Sequence, residues 1–245
     1  MKTIIALLIM SCAALPCSAQ DVPNADLQAF KNGSLRDAGM AAHRLRKRYE
    51  AEGEDVLKLA VPTLAERVIR EIKALEPPDK YLGEEGECLG DLIWLLSRSG
   101  DPRALEALIS VMLSKKIGGR MVGEGLLRIG HAVLPDLMKH LGSGDGHDRS
   151  NAVSTLATMA EIDSTGVFFT GKDRKVIREK LLPFLADDEL IMRLSSIRAL
   201  GFLGDSADIP ALEDIALHDP FKTETGYYIV RMAAEKAIGR LKRKE

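Results

Sequence analysis

The chain has 245 residues, of which 46% are hydrophobic and 29% charged, so it can bury a sizeable core and is not expected to be disordered. Aromatic residues make up only 4%, and unbranched helix-forming side chains dominate, which favours an all-α fold. Because the formal net charge is -2, no global positive field exists to hold phosphates, and nucleic acid is excluded as the expected partner.

The first twenty residues have the order of a secretory signal peptide. Lys2 precedes an apolar stretch from Ile4 to Leu15, and small residues follow before the preferred cleavage point after Gln20. That stretch is shorter than the roughly 20 residues that a membrane-spanning helix needs, and no later segment is long and apolar enough. We therefore expect an exported chain, periplasmic or secreted, without a transmembrane segment. A lipid anchor at Cys12 is the alternative, because Ile9-Met10-Ser11-Cys12 resembles a lipobox.

Cleavage of this leader leaves one of the three cysteines. Cys12 and Cys17 lie within the leader, so Cys88 remains without a partner for an intramolecular disulfide. Cys88 begins an apolar helical stretch that runs to Ile93, and no histidine lies near it in the sequence. We interpret Cys88 as a buried small hydrophobic residue rather than as a nucleophile.

Residues 21–82 are predicted to form an N-terminal helical segment. Its patterns indicate helices over 26–30 and 34–50, with Ser34 and Asp37 in an N-cap arrangement. Residues 55–75 indicate either a helix pair or one helix broken at Pro62, and the Pro77-Pro78 pair ends the segment. We interpret the segment as diverged repeats that cap the rest of the chain, and a separate helical element is the alternative.

Residues 83–245 contain an internal repeat. From Arg193 the segment has Leu at +7, Gly at +8, Leu at +10, Gly at +11 and Asp at +12. Segments that start at Arg149 and Arg231 follow this pattern, and two looser copies end in Gly100-Asp101 and Gly130-His131. The +7 positions are spaced by 30, 30, 44 and 38 residues, so the last two spacings contain insertions; they are Leu96, Leu126, Leu156, Leu200 and Ile238.

Each unit is predicted to be a helical hairpin. A second amphipathic stretch follows the break in four units, over 102–113, 133–141, 173–185 and 207–217. Glycine at the break supplies a left-handed helix end, and the aspartate after it caps the next helix. Since one hairpin cannot bury both apolar faces, the hairpins must stack. We expect the +7 side chains to form the core, and small residues at +8 to allow close helix contact, namely Ser97, Ala157, Gly201 and Gly239.

The run from Leu182 to Asp205 resembles the short HEAT-like repeats of bacterial proteins. The resemblance is close over residues 147–242 and looser over 84–146. It implies an α-solenoid, an α–α superhelix of stacked HEAT-like helical hairpins. Members of this family are mostly scaffolds, but they include bilin lyases and a di-iron hydroxylase, so the function has to be argued from the site.

The candidate chemical motifs do not indicate catalysis. Gly166 to Asp173 is one residue from a phosphate-loop pattern, but Asp173 replaces the required hydroxyl and no buried strand precedes it, so Asp173 is interpreted as a helix N-cap. None of the five histidines forms a His-Glu pair, and the cluster around His140 and His147 matches no standard metal loop. The basic run from Arg44 to Arg48 is interpreted as an exposed helix face, with lipid headgroups or an acidic partner as the alternative. We expect no catalytic residue, cofactor or metal.

Aromatic residues are concentrated in the two insertions. The loop 161–172 contains Phe168 and Phe169, and the loop 218–228 contains Phe221, Tyr227 and Tyr228. Insertions in a solenoid project from one face, often the binding face, so we predict that these five residues contact a protein partner. The alternative is that they fold back over the stack as a lid. The sequence thus predicts an exported HEAT-repeat scaffold that mediates protein–protein interaction, with a HEAT-like enzyme and a structural subunit of an envelope complex as alternatives.

Overall fold

The chain is all-helical. The computed structural model describes residues 22–74, 83–114, 119–163 and 166–244, and within these ranges it contains α-helices and short 3₁₀ turns but no strand. The predicted leader, with Cys12 and Cys17, lies outside the described residues, as does the Pro77-Pro78 pair. The helices are α1 Asn24–Asn32, α2 Leu35–Glu52, α3 Val61–Lys73, α4 Glu84–Ser99, α5 Leu105–Leu113, α6 Gly119–Ile129, α7 Leu134–Leu141, α8 Gly146–Ile162, α9 Gly171–Leu181, α10 Leu190–Leu203, α11 Ile209–His218 and α12 Ile229–Leu241.

None of these helices could cross a bilayer, since none in the described ranges is both long and apolar enough.

The predicted elements of the N-terminal segment are present with one change. Ser34 and Asp37 form a capping box at the start of α2, in which each side chain accepts a hydrogen bond from the other residue's N–H, as the sequence predicted. Pro62 lies in the first turn of α3, where its missing N–H costs nothing, so it starts a helix rather than breaking one. A 3₁₀ turn, Glu54–Leu57, precedes α3.

Six helices, which we call the first layer, lie side by side in chain order: α2, α4, α6, α8, α10 and α12. Two contacts between α8 and α10 show how adjacent first-layer helices are oriented. Ser154 contacts Ser195 (Oγ to Oγ, 2.8 Å), and Glu161, further along α8, contacts Arg198 (2.8 Å). The second contact lies further along both helices than the first, so α8 and α10 run parallel.

The helices between the first-layer helices in the chain, which we call the second layer, are α3, α5, α7, α9 and α11. Each packs on the first-layer helix that follows it, for example α7 on α8 and α11 on α12. Since each connects the end of one first-layer helix to the start of the next, it runs in the opposite direction.

One continuous apolar core runs between the layers from Val22 to Leu241. All five +7 side chains, Leu96, Leu126, Leu156, Leu200 and Ile238, are buried in it. The N-terminal helices share this core, because α2 packs on α4 just as the later first-layer helices pack on each other, and α3 packs on both α4 and α5.

Parallel stacking gives the molecule two edges. The carboxyl edge is formed by the turns in which first-layer helices end, for example at Gly100-Asp101 and Gly204-Asp205. The amino edge is formed by the turns from which these helices begin, such as 142–145, 187–189 and 219–228. Any two turns of the same kind therefore lie at the same edge, and turns of different kinds lie at opposite edges.

The repeated arginine anchors the amino edge. Arg149 Nη1 donates to the Ser143 carbonyl and Arg193 Nη1 donates to the Asp187 carbonyl, each at 2.8 Å and each six residues back. Arg231 Nε donates to the Asp219 carbonyl at 2.7 Å, across the longer loop. The arginine that opens the repeat thus satisfies carbonyls of the turn before its own helix.

The turns of the carboxyl edge follow the predicted mechanism at one unit and depart from it at another. Gly100 is left-handed (φ 57°), and the Asp101 side chain accepts from Arg103 N–H at 2.9 Å. The expectation of a left-handed Gly204 is wrong, because its φ is -71°. A Cβ there would lie 2.5 Å from Asp208 Oδ2 and 2.6 Å from the Leu200 carbonyl, so lack of space explains this glycine.

Of the four small residues predicted at +8, Gly201 and Ser97 lie at close contacts between first-layer helices, whereas Gly239 does not. A Cβ on Gly201 would lie 3.0 Å from Ala237 Cβ. Earlier in the same layer, a Cβ on Gly125 would lie 2.8 Å from the Cα of Ser97, which occupies the +8 position of its unit. Gly239 in the last helix has the same repeat position, but its nearest neighbour would be the Arg243 side chain at 3.9 Å. Close contact at these positions therefore occurs only where a further first-layer helix packs against the small residue.

Gly125→Ala should lower the free energy of unfolding. Overpacking costs about 1–3 kcal/mol and outweighs the roughly 0.5–1 kcal/mol that alanine contributes in a helix interior. Gly239→Ala is the matched control, and it should raise stability because alanine is favoured over glycine in a helix and its methyl group would meet nothing closer than the Arg243 side chain at 3.9 Å. Urea denaturation of both variants measures the difference. Equal or greater stability of Gly125→Ala would show that α4 and α6 are not in this contact.

Stability should fall in acid partly through Asp101. Hydrogen bonds from Arg103 hold the pKa of Asp101 below its usual value. The stabilisation is therefore present above the unfolded pKa of about 3.9 and is lost as the pH falls through the lower folded pKa. Asp101→Asn should flatten the loss of unfolding free energy below about pH 4. Urea titrations at several pH values test this, and identical slopes for the two proteins would contradict it.

Candidate functional site

The two aromatic loops do not form one surface. Residues 166–170, between α8 and α9, lie at the carboxyl edge, whereas the loop 219–228 precedes α12 and lies at the amino edge. The expectation that both insertions project from one face is therefore wrong. The reason is topological, because one insertion falls within a hairpin and the other falls between hairpins.

Residues 166–169 fold back against Asp163 and the preceding helices. The Asp163 carboxylate accepts hydrogen bonds from the N–H groups of Val167, Phe168 and Phe169 at 3.1–3.3 Å. Phe169 is only 1% exposed and belongs to the core. The prediction that Phe169 contacts a partner is therefore wrong, because a partner cannot reach its buried side chain.

Phe168 is half-buried against the preceding unit. Its ring centroid lies 4.8 Å from that of Phe169 and 5.2 Å from that of His131. His131 Nε2 lies 2.5 Å from the Phe168 carbonyl oxygen. These contacts correspond to the lid that the sequence left as the alternative for this loop.

The start of α9 differs in detail from the prediction. Thr170, not Asp173, is the N-cap, and Asp173 completes a capping box three residues later. Burial raises the pKa of Asp173, but hydrogen bonds from Thr170 outweigh it and hold that pKa below the usual value. The Asp173 carboxylate thus occupies the helix start where a phosphate loop would hold phosphate.

The loop 219–228 is fixed by Asp219, whose side chain is buried. Arg193 Nε donates to Asp219 Oδ2 at 3.0 Å, and Phe221 N–H donates to Oδ1 at 2.9 Å. Arg231 holds the Asp219 carbonyl from α12. One residue therefore ties the loop to both α10 and α12.

The tip of this loop is a hydrogen-bonded turn that presents aromatic residues. Thr223 N–H donates to the Tyr227 carbonyl, and Tyr227 N–H donates to Thr223 Oγ1, both at 2.9 Å. Gly226 has φ 91°, which a side chain would strain, and its N–H donates to the Thr223 carbonyl. This turn leaves Tyr227 62% exposed.

Tyr228 and Phe221 complete the aromatic group. The Arg231 guanidinium lies 4.2 Å from the Tyr228 ring centroid and the Lys222 ammonium lies 5.5 Å from it, so two cations contact this ring. Tyr228 remains partly exposed, and Phe221 packs against the core as a half-buried residue.

Two further apolar side chains were missed by the sequence analysis. Leu217, in the last turn of α11, is 65% exposed, and Met232, in the first turn of α12, is also exposed. The helices α11 and α12 flank the loop 219–228. We name the set Leu217, Phe221, Tyr227, Tyr228 and Met232 the tyrosine surface. Apolar periodicity assigned Leu217 to a helix but could not show that the end of that helix is uncovered.

Cys88 has the surroundings of a packing residue. Its Sγ lies so close to Gly39 of α2 that no Cβ fits there. Burial raises the pKa of Cys88, and the carboxylates of Glu84 and Asp91 raise it further. The thiolate needed for nucleophilic chemistry is therefore disfavoured.

Side chains of the basic run in α2 and of the histidine-containing turn contact other residues of the chain. Arg44 pairs with the buried Asp26, and Arg46 pairs with Asp91 of α4 while its guanidinium stacks 4.4 Å from the Trp94 ring. His147 Nε2 lies 2.9 Å from Asn151 Nδ2. Among the described residues, no three His, Cys, Asp or Glu side chains are grouped as metal ligands.

Comparison with protein-family models gives no match, and comparison with curated proteins gives none either. Solved structures give matches that include a crystal structure of an engineered protein. That protein is 18% identical, with a TM-score of 0.40, over 89% of this chain and 95% of its own. A similarity at this level carries no argument about fold or function.

Proposed function

We propose that the chain is an exported α-solenoid of HEAT-like repeats that binds a protein partner through the tyrosine surface. Three features support the solenoid: a parallel first layer, a second layer that returns between its members, and one core along the whole stack. The helices α1 to α3 act as the cap of this stack, because they continue both layers. Export rests on the leader predicted for residues 1–20.

The exposure of Tyr227 on a held turn is the observation that carries the binding proposal. Large aromatic side chains dominate binding energy in protein interfaces, and tyrosine contributes area at a low cost in conformational entropy. The hydrogen bonds of Thr223 and Asp219 fix the loop before any partner arrives, so less ordering is needed on binding.

The composition of the tyrosine surface is typical of a protein–protein interface. Its apolar part comes from Leu217, Tyr227 and Met232, and its charges come from Lys222 and Arg231 beside Tyr228. An apolar centre with charged groups around it is the usual composition of a protein interface. We therefore assign the chain a binding role without turnover.

Tyr227→Ala should weaken partner binding at least tenfold, which corresponds to about 1.4 kcal/mol, because it removes the most exposed aromatic anchor. The partner is first captured from the chain's own envelope fraction, and its dissociation constant is then measured for wild type and variant.

Leu59→Ala is the matched control, since Leu59 is an exposed apolar residue just before α3, far along the stack from the tyrosine surface. It should change binding less than twofold, and both variants should unfold at the wild-type temperature. Full binding by Tyr227→Ala, or equal losses in both variants, would reject the tyrosine surface as the interface.

A further inference from the structure

Two basic segments that are distant in sequence meet where α10 ends. Lys244 Nζ donates to the carbonyls of Phe202 (2.6 Å) and Gly204 (3.2 Å). Arg174 Nη1, from α9, donates to the same Phe202 carbonyl at 3.3 Å. The negative end of the α10 dipole draws both cations to one point of the carboxyl edge.

Further cations surround this point. Arg240 stacks its guanidinium 4.2 Å from the Phe202 ring. Residues 236–244 contain five basic and no acidic residues, and Glu245 after them lies outside the described residues. Lys172 and Arg243 are exposed. We call this set the basic edge: Lys172, Arg174, Arg240, Arg243 and Lys244.

The positive charges of the basic edge are crowded. Burial lowers the pKa of Lys244, and the nearby charge of Arg174 lowers it further. An anion placed here would relieve this repulsion, which is the electrostatic reason to expect an anionic ligand.

The nearest carboxylates, Asp205 and Asp208, raise the pKa of Lys244, but burial and the charge of Arg174 outweigh them. Asp205 and Asp208 both pair with Arg178, at 3.2 Å and 2.5 Å, and Asp173 closes the capping box of α9. Glu213 pairs with Lys242 at 3.5 Å. The basic edge thus keeps excess positive charge in a chain whose net charge is -2.

An exposed aliphatic side chain stands beside these cations. Val167, in the stretch 166–170 that precedes α9, is 80% exposed. Its neighbour Gly166 is so close to Arg174 that a Cβ would lie 2.9 Å from Nη2. Hydrogen bonds to Asp163 hold the loop backbone, so the exposure of Val167 belongs to a fixed turn.

We propose that the basic edge docks on anionic phospholipid headgroups, with Val167 entering the interface between headgroups and acyl chains. Cations combined with an exposed apolar tip are the features by which peripheral proteins bind anionic bilayers. An acidic protein would also use the cations but gives no reason to hold Val167 in solvent. This inference is independent of the tyrosine surface, which lies at the opposite edge and stays accessible in this orientation.

Co-sedimentation of the full chain with vesicles tests the proposal. Wild type should bind vesicles of phosphatidylglycerol and phosphatidylcholine, and added salt should weaken the binding because it screens the attraction. Vesicles of phosphatidylcholine alone measure any contribution from the apolar stretch 4–15 where it is retained. Lys172→Glu/Arg243→Glu should reduce the salt-sensitive partition coefficient at least tenfold, and Val167→Ser should reduce it to a smaller extent.

Lys47→Glu/Lys139→Glu is the matched control, because it makes the same change in net charge at exposed lysines of α2 and α7. It should retain binding within twofold. The proposal is overturned if wild type does not prefer anionic vesicles, or if the control loses as much as the test variant. Binding of polyglutamate without binding of anionic vesicles would overturn it in favour of an acidic protein partner.

Discussion

The close parallel contact between first-layer helices is the constraint on which the rest of the structure depends. Each contact places a small residue where a larger one would force the helices apart, as at Gly39 with Cys88, Gly125 with Ser97 and Gly201 with Ala237. Because neighbours are parallel, every unit adds its +7 side chain to the same core. The same parallel order creates two edges of different character, and each edge carries its own candidate surface.

Charge and loop anchoring follow from this arrangement. At the amino edge, arginines satisfy the carbonyls of the preceding turns, and Asp219 uses two of them to hold a long loop in a fixed shape. At the carboxyl edge, cations collect at the negative end of α10. One helical stack can thus present an aromatic surface and a basic surface without either hindering the other.

Local sequence signals predicted the helices well. They did not predict which loop residues and helix ends are covered by parts of the chain distant in sequence. The Ser34 cap, the Gly100 turn and the second helices follow from spacings within one unit, so the sequence contains them. The burial of Phe169 depends on Asp163 and Arg174 holding a loop against the core, and the exposure of Leu217 depends on where a helix ends relative to its neighbours. Neither is visible in a periodic pattern. The edge to which a loop belongs could have been inferred from hairpin order alone.

A disulfide between residues 154 and 195 tests the stacking of α10 on α8 most directly, because Ser154 and Ser195 lie 41 positions apart and their Oγ atoms are 2.8 Å apart. In a chain with Cys12, Cys17 and Cys88 replaced by serine, Ser154→Cys/Ser195→Cys should oxidise in air to an intramolecular cross-link, which non-reducing electrophoresis and mass spectrometry detect. The pair Ser154→Cys/Ser206→Cys, with the second cysteine at the carboxyl edge beyond α10, should not. Absence of the 154–195 cross-link, or its formation at the same rate as the control pair, would contradict the stacked arrangement.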